Sequence, residues 1–143
     1  MIGLRDSTGY LVNRLAASMK TALERALAPL DVTAQQWALM ATLAPLEAAT
    51  VVTLAESLGV DVGGASRLID RLLAKRLVVR QRTREDARVA SVSLTESGRA
   101  LHPKLEAKAE GVLVEYLRVL SRKETDQLNA LLRRLVDAAD ERD

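Results

Sequence analysis

The chain has 143 residues, enough for one domain with a real core and too few for two independent ones. Hydrophobic residues make up 48% and charged residues 28%, which excludes a disordered tail, and no apolar run approaches the about 18 residues needed to span a bilayer. Cysteine is absent, which excludes disulfides, thiolate metal sites and thiol redox sensing, and with only Tyr10, Trp37 and Tyr116 as aromatics the core must be Leu, Val and Ala, a composition that suits packed helices.

The first predicted helix runs from 9 to 28, with Leu11, Leu15, Met19, Ala22, Leu23, Ala26 and Leu27 at three- and four-residue steps and Pro29 closing it. Thr33 with Gln36 forms a capping box for a second helix that carries Trp37, Met40 and Leu43 and stops near Pro45. Thr50 caps a short helix over 51–58, ended by Gly59 where a left-handed residue is wanted. Asp61 caps the next, 62–75, whose buried stripe is Ala65, Leu68, Ile69 and Leu72. The period then changes to 2, which predicts strands at 78–81 and 90–94, with a charged hairpin tip between them that has no packing residue before Val89. Thr95 caps a long helix to Leu120, and Ser121 with Glu124 opens a final one carrying Leu128, Leu131, Leu132, Leu135 and Val136.

The net charge of +2 hides a partition. From Arg67 to Arg88 there are eight basic and three acidic residues, a local +5, so the rest of the chain is net −3. A basic segment in a mildly acidic body is the footprint of a polyanion-binding surface, and equally of a solvated charged face. The element order weighs on the first side. Two short helices joined by Leu58-Gly59-Val60-Asp61 and followed by two strands form a helix-turn-helix with a wing, so the second helix fits a major groove about 12 Å wide. On that helix Ser66, Arg67, Asp70 and Arg71 fall away from the apolar stripe. Gly63 and Gly64 in its first turn cost about 1 kcal/mol each in helix stability. They either let phosphate or a base edge approach the backbone or simply loosen the helix start.

The order LAESLGVD, SRLIDRLLAKRLVVR, then REDAR followed by VSLTESGRAL resembles the multiple-antibiotic-resistance regulator (MarR) family from Tyr10 through the final helix. The stretch from Leu54 to Leu101 carries the specific part, and the terminal helices match as amphipathic helices. The resemblance implies a mainly α fold with a small β-hairpin, a winged helix-turn-helix with N- and C-terminal dimerisation helices. The chain then reads as one domain over 1–143, with about 33–95 binding DNA and about 1–30 and 96–143 forming an obligate homodimer. Family members usually repress nearby genes and release DNA when a small, often phenolic or anionic, ligand binds between the dimer helices and the reading head. Carried over by residue, Ser66 and Arg67 fall where the recognition helix touches bases and phosphates, and Arg71 where it touches backbone. Asp86 and Arg88 match the wing's D-x-R pair, in which the acid orients an arginine into the minor groove, and Arg82 and Arg84 flank the tip. The chain departs from the pattern at Gly64, where a hydroxyl side chain is common, and at Ala87, which replaces a frequent arginine. The lack of cysteine separates it from the peroxide-sensing members.

Other signals are weaker. Trp37 and Met40 line a ligand pocket or belong to the core, and helical spacing favours the core. His102 stands alone, without the partners of a metal site, and Glu106, Glu110 and Glu115 lie among Lys104 and Lys108 on what reads as a solvated face. There is no phosphate loop, nucleophile elbow or H-E-x-x-H pair, so neither an enzyme nor a cofactor is expected. The opening MIGLRDSTGY lacks the apolar stretch of a signal peptide, which makes a cytoplasmic location the expectation. The leading function is a homodimeric regulator, a repressor released from a palindromic double-stranded operator by a small aromatic or anionic effector. The alternative is a ligand-independent architectural protein that binds DNA with little sequence preference. A protein-interaction module would want an apolar wing, and this one is rich in arginine.

Overall fold

Every α-helix begins at a side-chain oxygen that accepts a hydrogen bond from its own first turn. In the computed structural model of the chain, which describes residues 3–82 and 90–142, Ser7 Oγ accepts the Tyr10 N–H at 3.3 Å and opens α1, Thr8–Leu27. Thr33 opens α2, Ala34–Leu43, through a reciprocal capping box with Gln36. Thr50 caps α3, Val51–Leu58, and Asp61 caps α4, Val62–Ala74, where its Oδ1 lies 2.5 Å from the Gly64 nitrogen. Thr95 and Ser121 do the same for α5, Glu96–Leu117, and α6, Arg122–Asp140. These oxygens satisfy N–H groups that the first turn of a helix leaves unpaired. At Ser121 the capping box also holds the Glu124 carboxyl below its ordinary range, because the Ser121 backbone N–H and hydroxyl both bond to the charged form.

The stops are equally local. Gly59 ends α3 at φ 66°, as its position predicts. Arg76 takes the same left-handed role after α4 at φ 59°, with the Leu77 N–H bonded to the Leu72 carbonyl and the Arg76 N–H to the Leu73 carbonyl, both at 3.0 Å. α5 ends at Leu117, short of the expected Leu120, because a turn closed by the Leu120 N–H on the Leu117 carbonyl intervenes.

The expected two-stranded hairpin is part of a three-stranded antiparallel sheet. The strands β1, Ala49–Thr50, β2, Val78–Arg82, and β3, Ala90–Leu94, lie in the order β1-β3-β2. Ala49 faces Val92 and Thr50 faces Ser91, and a two-residue strand has no alternation to reveal it in a sequence. Between β2 and β3 the register sets Val78 opposite Leu94 and Arg80 opposite Val92 on one face, and Gln81 opposite Ser91 on the other. Val78, Val92 and Leu94 are buried, so the first face meets the core. That core joins Leu27, Leu39, Met40, Leu43, Leu54, Ile69, Leu72 and Leu105 from α1 to α5. α6 contributes no buried residue.

At the root of the sheet, four elements meet at one carbonyl. Leu77 O accepts the Thr95 N–H at 3.1 Å, while Thr95 Oγ1 donates to the Arg76 carbonyl at 2.7 Å. Gly98 sits against that carbonyl so closely that a Cβ there would lie 2.1 Å from Leu77 O. No side chain fits, and the carbonyl cannot move without breaking its bond to Thr95. Gly98→Ala is therefore expected to cost about 2–4 kcal/mol of unfolding free energy, read as a lower urea midpoint at unchanged slope. Gly111→Ala on the same helix meets nothing within 4 Å and serves as the control, neutral or stabilising by up to about 1 kcal/mol.

Candidate nucleic-acid interface

α3 and α4 pack against each other across the Gly59 turn, and their buried stripes fix which way α4 presents its surface. Ala65, Leu68, Ile69 and Leu72 are buried. Gly63, Arg67, Asp70 and Arg71 are exposed, and Gly64 and Ser66 are half-buried. Arg67 leans back along the first turn: a Cβ on Gly63 would lie 3.5 Å from its Nη1, and one on Gly64 3.9 Å from its Nη2. The Gly64 Cβ would also come within 3.1 Å of the capping Asp61 Oδ1. A side chain at Gly64 would crowd the capping Asp61, whereas one at Gly63 would make only ordinary van der Waals contacts.

Arg67 and Arg71 border a polar cleft of about 400 Å³ together with Gln35 and Asp61, above a floor of Val60 and Leu68. Gln35 lies in the first turn of α2 and Gly64 in that of α4, so the starts of two helices border the same cleft. Sequence reasoning missed Gln35. The signal was its place beside Gln36, which the capping box turns inward, leaving its neighbour to face out.

The basic segment divides by partner. Lys75 Nζ donates to the Gln36 side-chain oxygen at 2.9 Å and to the Asp31 backbone carbonyl, with the Asp31 carboxylate 3.8 Å away. It therefore ties the end of α4 to the turn before α2 and does not join the exposed cluster. Arg80 on β2 reaches Asp70 on α4 at 3.6 Å. Among the described residues Arg67 and Arg71 have no ion-pair partner. Arg82 is exposed at the end of β2 and borders a second polar cleft, of about 670 Å³, with Ser91, Ser93 and the unpredicted Arg99 of α5. Arg84, Asp86 and Arg88, the remaining wing assignments, lie outside the described residues.

The two pocket candidates part company. Met40 is fully buried in the core, whereas Trp37 lines an apolar cavity of about 490 Å³ between α1, α2 and α5. Met19, Leu23, Val112 and Leu113 complete its apolar wall, and Lys20, Glu106 and Glu110 supply its charges. Glu106 and Glu110 are exposed, as a solvated face requires, and also border this cavity, while Glu115 pairs with Arg118 at 3.4 Å. His102 Nε2 stands 3.9 Å from Glu106 Oε2, and its buried Nδ1, like Trp37 Nε1, has no hydrogen-bond partner among the described residues. Among those residues there is no cluster that would hold a metal ion and no helix long and apolar enough to cross a membrane.

The sequence model of the MarR family matches residues 30–89, which takes in α2, the helix-turn-helix and β2. A variant of MarR from E. coli, crystallised with operator DNA, is 29% identical over 89% of this chain and 91% of that one, with a TM-score of 0.83. BpsR from Bordetella bronchiseptica, described with the regulation of its DNA binding by 6-hydroxynicotinic acid, is 23% identical over 96% and 98% of the two chains, with a TM-score of 0.88. CouR from Rhodococcus jostii, bound to p-coumaroyl-CoA, is 22% identical over 94% and 95%, with a TM-score of 0.86. At those identities the last two establish the winged-helix fold alone.

The role of Lys75 is separable from that of the exposed arginines. Lys75→Met is expected to lower stability by about 1–2 kcal/mol, since a charged donor to a buried amide oxygen is lost while the exposed contact to Asp31 counts for little. Arg71→Met should fall within about 0.5 kcal/mol of the parent. Thermal unfolding of the two variants side by side checks this, and equal losses would contradict it.

Proposed function

We propose that the protein is a homodimeric transcription regulator that binds a pseudo-palindromic operator, with the second helix of its helix-turn-helix in the major groove. The observation that carries this reading is the exposed face of α4, where Arg67 and Arg71 border a polar cleft and Ser66, next to Arg67 in the sequence, stands half-buried. Arg67 reads a base edge, Ser66 and Arg71 hold phosphate, and Arg82 with Arg84, Asp86 and Arg88 forms the minor-groove contact of the wing. The E. coli relative in complex with operator DNA supports this assignment. Such a protein works in the cytoplasm, where its DNA is.

The dimer is argued from uncovered apolar surface. Leu11, Val12 and Leu15 of α1 and Leu131, Leu135 and Val136 of α6 are each about half exposed, and an apolar groove of about 430 Å³ runs between the two helices. A monomer does not sustain so continuous a patch in water. A second copy covers it, and the two-fold axis sets the half-sites about one helical turn apart, roughly 10 bp. The apolar cavity beside Trp37 is the effector site, and its position between α1, α2 and α5 lets an occupant bias the angle between dimer helices and reading head. Occupancy releases the operator, so the protein acts as a repressor.

Two experiments test the reading. Arg67→Ala should relax discrimination at one or two half-site positions by about 1–3 kcal/mol, while Arg71→Ala weakens all duplexes alike and lowers the salt slope by about 1. Binding to operator and random duplex at two salt concentrations separates these effects, and a parent protein without preference between the duplexes would favour the architectural alternative. Leu131→Glu with Leu135→Glu should abolish the dimer and operator binding together, measured by sedimentation equilibrium and gel shift. A folded monomer with full operator affinity would refute the dimer.

A further inference from the structure

The charge of the effector can be read from the cavity that the proposed function assigns to it, and the inference rests on that assignment. We propose that the cavity beside Trp37 takes an aromatic cation, an amine protonated at neutral pH, in preference to a carboxylate. Three charged side chains line it, Lys20 from α1 and Glu106 and Glu110 from α5, so the lining is net −1. The two glutamates are one turn apart on the same helix and disfavour each other. An ammonium group seated between them offsets that repulsion, whereas a carboxylate brings a third negative charge against a single lysine. Among the described residues neither Lys20 nor Glu110 has an ion-pair partner, so neither charge is already cancelled within the chain. Glu106 has only the imidazole of His102, at 3.9 Å. The rest of the wall is Met19, Leu23, Trp37, Ala109, Val112 and Leu113, which accepts a flat apolar body. The indole adds an electron-rich ring, whose face attracts a cation and not an anion.

Calorimetric titration of the full-length protein with naphthylmethylamine and with naphthylacetate, the same ring bearing opposite charges, tests the inference, with neutral naphthylmethanol as a third arm. The amine should bind about tenfold more tightly than the acetate, as expected for one uncompensated charge at close range in a partly solvated site. Glu106→Gln combined with Glu110→Gln leaves Lys20 as the one charge in the lining and should reverse the preference towards the acetate while naphthylmethanol binding stays unchanged. Acetate binding as tightly as the amine, or an amine preference that survives the double substitution, overturns the charge assignment and leaves the effector cavity standing. Failure of all three naphthyl compounds to bind overturns the effector cavity itself.

Discussion

The reading head is held to the long helix behind it by the Leu77 carbonyl. α4 ends three residues before this one, β2 begins just after it, β3 ends one residue before Thr95, and α5 begins one residue beyond Thr95. Thr95 donates its N–H to Leu77 and its hydroxyl to Arg76, and at the same time accepts the Gly98 N–H that starts α5. One side chain therefore closes the sheet and caps the helix. The bare α-carbon of Gly98 is the condition for this arrangement, because a methyl group would occupy the place of the carbonyl. With that joint fixed, the orientation of α4 relative to α5 follows, and so does the direction in which Arg67 and Arg71 face.

A second tie works at the other end of the head. Glu24 of α1 accepts the Ala34 N–H at 3.1 Å, so the first turn of α2 is capped in part from a different helix. Lys75 reaches the same region from the end of α4. α2 is thus gripped at its N-terminus by both α1 and α4, and it supplies Gln35 to the polar cleft and Trp37 to the apolar cavity. The two openings thus border one element ten residues long.

Much of the fold was legible because the helix starts are written in single residues. Thr33, Thr50, Asp61, Thr95 and Ser121 each act where the sequence puts them, and Gly59 needs its left-handed backbone. What stayed hidden depends on distant partners. β1 has two residues and exists only because β3 offers it an edge. Gly98 looks like any helix-start glycine until Leu77 is placed beside it. Lys75 counted as one more positive charge in a basic run, and only the fold reveals that it spans to Asp31 and Gln36. The exposed arginines on α4 were legible because an apolar stripe with helical period fixes the opposite face. The cavity was half legible: Trp37 was a candidate, but the glutamates beside it came into view only when α5 was laid against α1 and α2.

α6 has a consequence for the life of the chain in the cell. It is a nineteen-residue helix with no fully buried position, so within one copy little besides its own hydrogen bonds holds it. Under the proposed dimer, a newly made copy without a partner offers that segment to proteases, whereas a paired copy hides it. The half-life of the protein then rises with its own abundance, and a cell that makes little of it clears the remainder quickly. On that reading the level of the protein becomes a threshold set by the affinity between two copies, independent of any control over its synthesis.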